Sequence, residues 1–198
     1  MAKRLFDLVA SALGLLLLSP LLLVVAVAIK LDSPGPVLFR QERVGRFGVP
    51  FRIRKFRTMR HQPQDGGPLI TVGADPRITR VGAFLRSTKL DELPQLLDVL
   101  CGSMSLVGPR PEVPRYLPHY PPGVREKVLS VRPGITDLAS IEYRRESELL
   151  AAAHDPERAY VEEVLPAKLR YAQQYVDGAT FWGDLRLLLR TLHVIVTR

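Results

Sequence analysis

The longest apolar stretch of the chain lies near its start. Residues 8–29 carry no charged side chain, whereas Lys3, Arg4 and Asp7 precede them and Lys30 follows. About 22 residues in a helix extend roughly 33 Å, which is enough to cross the hydrocarbon core of a bilayer. The pattern predicts an apolar helix, and a helix that spans the membrane is its ordinary interpretation.

Two other interpretations of this stretch remain open. Ala26-Val27-Ala28 resembles the small-residue site at which a signal peptide is cleaved. The second interpretation is a re-entrant helix, which enters the membrane, turns and leaves on the same face. It is suggested by Ser19-Pro20, which lies in the middle of the stretch. A proline inside a helix frees the carbonyl four residues earlier, and a serine hydroxyl can bond that carbonyl instead. Basic residues on both flanks favour the cytoplasmic side for both ends, and a bend at Ser19-Pro20 would allow that.

The soluble part begins at Asp32-Ser33-Pro34-Gly35-Pro36, which ends the helix. Two short stretches, 37–39 and 51–57, predict strands joined by a glycine-containing turn. In the second strand Lys55 shares a face with two apolar side chains. A lysine among apolar neighbours is a candidate for binding phosphate, although a basic strand that faces lipid head groups is the plainer explanation.

Spacings of three and four between apolar positions predict a series of helices after a loop at residues 61–75. The first begins at Asp75-Pro76 and has a basic side that includes Arg86. Others are predicted at 124–129, 146–153, 157–176 with an interruption at Pro166, and 181–196. The last has one broad apolar face, which suits either core packing or a position at the membrane interface.

These elements predict a mostly helical α+β fold in two parts. Residues 1–31 form a membrane-anchoring helix, re-entrant and broken at Ser19-Pro20. Residues 32–198 form a cytoplasmic catalytic domain, with a small β-hairpin and with interfacial amphipathic helices around the active site.

A short helix in the middle of the chain carries the candidate chemistry. Its apolar positions follow the spacing i, i+3, i+4, i+7, and Gly102 ends it. Pro94 is tolerated only in a first turn, so the helix should begin close to Asp91. Asp91 and Glu92 would then lie at the positive end of the helix dipole, where carboxylates are stabilised as anions. Acidic residues at such positions are also ordinary helix caps.

Several cations lie near this acidic pair. Arg86 precedes it, and Arg110 follows between Pro109 and Pro111, which stiffen the backbone and present the guanidinium in a fixed direction. A planar guanidinium suits bidentate contacts to phosphate. An ionised aspartate among such cations could attack a phosphoryl group and form an aspartyl-phosphate type intermediate. Because two carboxylates repel an anionic substrate, this chemistry requires a Mg²⁺ ion.

Composition narrows the class of partner. The net charge of +8 favours nucleic acid, a phospholipid surface or a phosphorylated substrate. Nucleic acid is disfavoured because aromatic residues, which would stack on bases, make up only 7% of the chain. The single cysteine, Cys101, excludes an intramolecular disulfide and a cysteine-built metal site. Its apolar surroundings predict a buried thiol.

Four motifs follow one another along the chain. They are Lys55-Phe56-Arg57-Thr58-Met59, Leu90-Asp91-Glu92-Leu93-Pro94-Gln95-Leu96, Met104-Ser105-Leu106-Val107-Gly108-Pro109-Arg110-Pro111-Glu112 and Arg132-Pro133-Gly134-Ile135-Thr136. Together with the apolar N-terminal helix and its Ser19-Pro20 break, they resemble the bacterial sugar transferases, which are monotopic phosphoglycosyl transferases. The resemblance covers nearly the whole chain.

The resemblance implies transfer of a sugar-1-phosphate from a UDP-sugar to polyprenol (undecaprenyl) phosphate, with release of UMP. It implies the bacterial inner (cytoplasmic) membrane as the location, with the catalytic domain facing the cytoplasm. Such enzymes start the assembly of O-antigen, capsule, exopolysaccharide or glycoprotein glycans. Membrane phospholipids are implied as partners, and a second copy of the chain in a homodimer is a further candidate partner.

The same resemblance implies a role for individual residues. Asp91 matches the nucleophile that takes up the phosphosugar and is expected to lie by the Mg²⁺ ion, and Glu92 matches its dyad partner. Arg110, within Pro109-Arg110-Pro111, matches the arginine at the nucleotide end of the site. The positions expected to meet phosphates, including that of the polyprenol phosphate, are matched by Lys55, Arg86 and Arg144.

Two other functions are compatible with the sequence. A metal-dependent hydrolase of nucleotide sugars would use the same carboxylates but would need no lipid. A basic module that binds a membrane surface or nucleic acid would use Asp91 and Glu92 only as helix caps.

Overall fold

The computed structural model describes residues 2–60, 71–73, 75–143 and 146–197. For residues 195 and 196 it describes the backbone alone. Within this part of the chain most residues are helical, and the strands form two small sheets. A long N-terminal helix lies against a body made of the other elements. This is the predicted mostly helical α+β class.

The N-terminal helix, α1 (Ala2–Asp32), passes through Pro20 without interruption. Pro20 lacks the N–H that would bond the Leu16 carbonyl. The Ser19 hydroxyl donates to that carbonyl instead, at 2.8 Å. This replacement, expected from the sequence, lets the helix continue at the position where a break was predicted. At 1.5 Å per residue, α1 is about 46 Å long.

One face of α1 lies against the body, and the opposite face is exposed. Within the described residues, α1 is the one helix long and apolar enough to cross a membrane, yet only 11% of its most apolar 18-residue window is buried. A core helix of a soluble protein would be mostly buried, so α1 suggests association with a membrane. The exposed large side chains are Leu5, Val9, Leu13, Leu16, Leu17, Leu21, Leu23, Val24, Val27 and Leu31.

The two halves of α1 belong to different hydrophobic clusters of the body. Phe6, in the first half, packs against the cluster that contains Met104. Val25, in the second half, packs with Phe56 and Leu85. Both ends of the helix are therefore attached to the same folded unit.

The predicted hairpin is formed by β1 (Leu38–Val44) and β2 (Pro50–Phe56), which pair antiparallel and are joined by a 3₁₀ turn at Arg46–Gly48. β1 is longer than the predicted strand at residues 37–39. The reason is that backbone pairing continues through Arg40 and Glu42, whose side chains are exposed and need no apolar partner.

The helix predicted from Asp75 begins later, as α2 (Arg80–Thr88). Its cap is Thr79, whose hydroxyl oxygen accepts the N–H of Gly82 at 3.0 Å. Asp75 lies in the preceding turn, where its carboxylate accepts the backbone N–H of Arg77 at 2.9 Å and also binds the Arg77 guanidinium. A short carboxylate that bonds nearby backbone N–H groups favours a turn over a helix interior.

The central helix also begins later than predicted. Lys89 ends α2 in the left-handed conformation, with φ 59°. A 3₁₀ turn at Leu90–Glu92 follows and precedes α3 (Gln95–Cys101). The α-helical ladder starts only after Pro94, because Pro94 has no N–H to bond the carbonyl of Leu90. Asp91 and Glu92 thus lie in a tight turn ahead of α3 and not in its first turn.

The C-terminal end of α3 confirms one prediction and corrects another. Gly102 ends the helix with φ 88°, as predicted. Cys101 is exposed, so the predicted buried thiol was wrong. Cys101 lies two residues after buried Val99, a rotation of about 200° around the helix, which places it on the other side.

The second sheet brings two distant segments into close contact. β3 (Ser105–Val107) and β4 (Gly134–Thr136) pair in parallel. Gly108 directly follows β3, and Gly134 is the first residue of β4. The two glycines approach so closely that a Cβ on Gly134 would lie 2.1 Å from the Gly108 nitrogen. Both positions must therefore lack a side chain.

The remaining helices follow β3 along the chain. The predicted interruption at Pro166 is a π-helical turn, Tyr160–Val164, after which Pro166 lies in the first turn of a helix, where no N–H is required. The last helix has the predicted bounds. In order, the helices are α4 (Val124–Val128), α5 (Leu138–Glu142), α6 (Glu146–Ala151), α7 (Pro156–Ala159), α8 (Leu165–Gly178) and α9 (Phe181–Val196).

Gly134→Ala should destabilise the protein by about 1–3 kcal/mol, because the new methyl group would overlap the Gly108 backbone and force β3 and β4 apart. Thermal unfolding in detergent measures the loss. Gly178→Ala is the matched control, since a Cβ there meets no described atom within 4 Å. Equal melting temperatures for the two variants would contradict the close contact of the two strands.

Candidate active site

The two carboxylates of the acidic pair have different surroundings. Glu92 Oε1 accepts from Lys55 Nζ at 2.7 Å and from Arg110 Nη2 at 2.6 Å. Asp91 is only 8% exposed, and its Oδ1 has no hydrogen-bond partner among the described residues. One carboxylate is therefore bound by two cations, while the other keeps an acceptor that the described part of the chain does not use.

The backbone around Lys89 places this pair. A residue other than glycine in the left-handed conformation costs about 1–2 kcal/mol, and Lys89 adopts it with φ 59°. The reversal turns the chain back against β2, from which Lys55 reaches Glu92. A strained residue next to an acidic pair is a feature that often accompanies functional sites.

Arg110 is held as the sequence predicts, with a fixed backbone on both sides. The carbonyl of Pro109 accepts the N–H of Gly134 at 2.9 Å. The carbonyl of Pro111 accepts from Arg43 Nη1 at 3.0 Å. The guanidinium of Arg110 is thus presented to Glu92 from a rigid segment.

Burial and charge separate the pKa values of the two carboxyls. Burial, together with the charge of Glu92, raises the pKa of Asp91, although nearby cations led by Lys55 oppose this. Burial would also raise the pKa of Glu92, but the charges and hydrogen bonds of Arg110 and Lys55 outweigh it and hold that pKa well below its usual value. Glu92 is the permanent anion of the pair.

The helix dipole was predicted to stabilise the charged form of Asp91, and this prediction was wrong. Asp91 lies in the 3₁₀ turn before α3, so it is not in the first turn, where the dipole acts. The groups that favour its charged form are the cations Lys55, Lys89 and Arg86.

The pKa values of the cations in the site are shifted in opposite directions. Burial lowers the pKa of Lys55 to about 8, with Arg110 adding to the effect and Glu92 opposing it. The charge of Glu92 raises the pKa of Arg110. Burial lowers the pKa of Arg86, whose Nη2 donates to the Thr71 hydroxyl at 3.0 Å. A lysine that titrates near 8 is charged at neutral pH but loses that charge in mild alkali.

A cleft of about 1100 Å³ connects these groups. Its walls contain most of the residues selected from the sequence, namely Lys55, Arg86, Asp91, Pro109, Arg110 and Pro111. Glu92 is joined to it through Lys55 and Arg110. Arg144 lies outside the described residues. Ser19 and Pro20 lie in the middle of α1 and belong to the anchor.

The cleft also contains residues that were not selected from the sequence. Tyr160 donates its hydroxyl hydrogen to Glu112 at 2.5 Å, and Lys168 and Tyr171 of α8 line the same wall. The position of Glu112, directly after Pro111, is a signal that local analysis could have used. The residues of α8 reach the cleft only through tertiary folding.

The donor atoms available for a metal ion are few. Among residues 2–60, 71–73, 75–143 and 146–197, no group of three or more His, Cys, Asp or Glu side chains could hold a metal. Glu92 is engaged by cations, so Asp91 is the member of the acidic pair whose carboxylate is available as a ligand. Mg²⁺ is commonly bound by one or two carboxylates together with substrate phosphates and water. These residues fit Mg²⁺ bound jointly by Asp91 and a diphosphate.

Comparison with known proteins identifies the family of the chain. The family model described as bacterial sugar transferase matches residues 1–198. The chain belongs to the bacterial sugar transferase family. The matched residues include α1 as well as the body.

Several bacterial sugar transferases are similar to the chain over nearly its whole length. A UDP-glucose:undecaprenyl-phosphate glucose-1-phosphate transferase of Caulobacter vibrioides is 41% identical over 98% of this chain and 70% of its own length. A protein of the same name from Klebsiella pneumoniae is 41% identical over 96% of this chain. A UDP-N-acetylgalactosamine-undecaprenyl-phosphate N-acetylgalactosaminephosphotransferase of Aeromonas hydrophila is 36% identical over 98%. The chain spans only about two fifths of the length of the last two.

The pKa of Lys55 tests the arrangement of charges around this side chain. Lys55 should titrate near pH 8, below the usual value of about 10.4 for lysine, so its charge is complete below that pH and lost above it. Competitive labelling of amines across a pH series, followed by mass spectrometry, measures the pKa of Lys55.

Two variants should move this pKa of Lys55 in opposite directions. Glu92→Gln removes an anion and should lower it further, whereas Arg110→Ala removes a cation and should raise it. A pKa near 10.4 in the unmodified chain, or shifts of the same sign in both variants, would contradict the arrangement.

Proposed function

We propose that the chain transfers a sugar-1-phosphate from a UDP-sugar to undecaprenyl phosphate, releasing UMP, through a covalent phosphosugar on Asp91. The observation that carries this proposal is the buried Asp91 carboxylate, with an oxygen unbonded among the described residues, in a cleft lined by Lys55, Arg86 and Arg110. An anion of this kind among fixed cations is suited to attack a phosphoryl group.

The first step forms a bond between an Asp91 oxygen and the phosphorus that carries the sugar. The bond from that phosphorus to the bridging oxygen breaks, and UMP leaves with the electron pair. In the second step an oxygen of undecaprenyl phosphate attacks the same phosphorus, which forms the lipid diphosphate sugar and frees the Asp91 carboxylate. Mg²⁺, when bound by Asp91 and the diphosphate, would neutralise phosphate charge.

The remaining residues bind and orient the substrates. Arg110 and Lys55 present fixed positive charge where negative charge accumulates on the leaving phosphate. Glu92, which binds both, holds the two cations in place and is too strongly paired to act as a free base. Arg86, on the same cleft, supplies a further cation for phosphate.

The relatives support a UDP-linked donor and suggest which sugars to test. The relatives from Caulobacter and Klebsiella are named for UDP-glucose, and the relative from Aeromonas for UDP-N-acetylgalactosamine. We propose that this chain uses a donor of the same type in the first membrane-bound step of a bacterial glycan.

Asp91→Asn should reduce UMP release by at least about 10³-fold, because the amide is not a nucleophile. The assay screens both donors with undecaprenyl phosphate in nanodiscs. Without the lipid, the unmodified chain should release one UMP per active site and retain the phosphosugar, which intact mass spectrometry detects.

Asp177→Asn, which changes an exposed aspartate at the end of α8, is the matched control and should keep full activity. Sustained UMP release without lipid would indicate a hydrolase instead. Full activity of Asp91→Asn would contradict the nucleophile assignment and leave the acidic pair with only a structural role.

We also propose that both ends of α1 lie on the same, cytoplasmic face of the bacterial inner membrane. Polar groups of the body bind both ends of the helix. Near the start, Arg4 donates to the Val99 carbonyl at 2.7 Å. Near the end, Arg57 donates to the Ser33 carbonyl at 2.7 Å. A helix whose ends both contact one folded unit cannot have those ends on opposite sides of a bilayer about 30 Å thick.

Exposed apolar groups on other elements support the same orientation. Trp182 of α9 is 71% exposed, and Leu189 and Leu192 of the same helix are also exposed. Phe84 of α2 is exposed as well. Large exposed apolar side chains next to an unburied apolar helix suit a surface that contacts phospholipid.

Single cysteines introduced into a Cys101→Ser background should test the topology. Ala2→Cys and Ser33→Cys, at the two ends of α1, should both resist a membrane-impermeant maleimide in intact cells and react in inverted vesicles. Arg125→Cys, exposed on the body, reports the side on which the body lies. Labelling of Ala2→Cys in intact cells would instead indicate a helix that spans the membrane.

A further inference from the structure

The strand that leads to Arg110 is held by a buried carboxylate of α1. Asp7 accepts the Ser105 hydroxyl at 2.8 Å and the Leu106 N–H at 3.2 Å. All three residues are buried. Because a buried carboxylate needs its hydrogen bonds, β3 and the first turns of α1 must keep this relative position.

A second contact lies one helical turn earlier. Lys3 donates to the Val107 carbonyl at 3.0 Å and pairs with the buried carboxylate of Asp184 in α9. The Tyr175 hydroxyl of α8 lies 3.0 Å from the same Val107 carbonyl and 2.9 Å from Asp184 Oδ1. Three helices thus meet at one carbonyl, and we call Lys3, Tyr175 and Asp184 the Val107 cluster.

The chain between this carbonyl and Arg110 has little freedom. Gly108 donates its N–H to the Thr136 carbonyl at 3.1 Å, and a Cβ on Gly108 would lie 2.4 Å from the Arg132 carbonyl oxygen. Pro109 and Arg110 follow directly. A displacement of Val107 is therefore transmitted to the Arg110 guanidinium instead of being absorbed by a flexible loop.

The other cation on Glu92 is tied to the opposite end of α1. Arg57 is buried and donates to the carbonyls of Ile29, Ser33 and Pro34, where the helix ends. Lys55 lies two residues earlier in the chain, near the end of β2. Both cations that bind Glu92 are thus positioned from α1, one from each end.

We propose that the Val107 cluster is a positioning device, through which the membrane helix sets the place of Arg110 and hence the binding of the donor's phosphates. Lys3 and Asp184 are positioning residues, since they act through Val107 and Arg110. Tyr175 bonds the same carbonyl and also lines the cleft. The proposal rests on the proposed function only for its turnover measurements, because phosphate binding at Arg110 can be measured without transfer.

A purely structural role for the cluster is the competing explanation, and a double-mutant cycle separates the two. If Lys3 acts through Arg110, Lys3→Met should weaken binding of inorganic pyrophosphate in the native chain by about tenfold, within the range for coupled residues. In the Arg110→Ala background the same change should weaken binding by less than about twofold. If Lys3 only stabilises the fold, the two factors should be equal.

The cycle is measured on the full chain in nanodiscs by calorimetry with pyrophosphate, and by kcat/KM for the UDP-sugar. Lys3→Arg, which keeps a positively charged donor, should restore binding to within about threefold, because charge-assisted hydrogen bonds to Asp184 and the Val107 carbonyl can still form. Lys30→Met is the matched control, because it removes the same charge from an exposed position on the same helix. It should leave both measurements unchanged.

Tyr175→Phe gives an independent version of the cycle should Lys3→Met not fold, since it removes only a hydroxyl group. Equal factors in both Arg110 backgrounds, or an equal effect of Lys30→Met, would overturn the proposal. A chain that binds pyrophosphate with the expected cycle but transfers no sugar phosphate would overturn only the proposed function. If the chain shows neither the expected cycle nor transfer of a sugar phosphate, both this proposal and the proposed function would be overturned.

Discussion

The carboxylate of Glu92 joins three separate parts of the chain. Lys55 reaches it from β2 and Arg110 from the segment after β3, while Glu92 itself lies between α2 and α3. Buried charges are stable only when they are paired. Removal of any one partner would leave a buried charge uncompensated, so the three segments stabilise one another. The neighbouring Asp91 shares part of these surroundings, because Lys55, one of the two cations that bind Glu92, also acts on the charge of Asp91.

Local sequence signals predicted the features that depend on local physics. The bounds of α9, the glycine that ends α3 and the replacement of a lost hydrogen bond by Ser19 all follow from neighbouring residues. The fixed backbone of Arg110 follows from its flanking prolines. The reversal at Lys89, which separates α2 from the turn of the acidic pair, was missed because Lys89 adopts φ 59°, and nothing in the chemistry of lysine favours that conformation.

The parts of the site that sequence did not predict depend on contacts between distant segments. Tyr160 and Lys168 reach the cleft from helices that follow Arg110 by about 50 residues or more. The charge of Asp91 is a second case. A helix dipole is a local property and predicted a stabilised anion, whereas burial by other elements raises the pKa of Asp91. Motifs identified residues that the fold brings together in the cleft, but the balance between burial and charge required the fold.

The partners of the first turns of α1 have a consequence for how the protein is made. Lys3 and its partner Asp184 are separated by 181 positions, and Asp7 is separated from Ser105 by 98. During synthesis Asp7 therefore has no partner until Ser105 has left the ribosome, and Lys3 has none until Asp184 has done so. The attachment of α1 to the body is thus completed in two stages. The contact of Lys3 with the Val107 carbonyl gains its counter-charge only in the second stage.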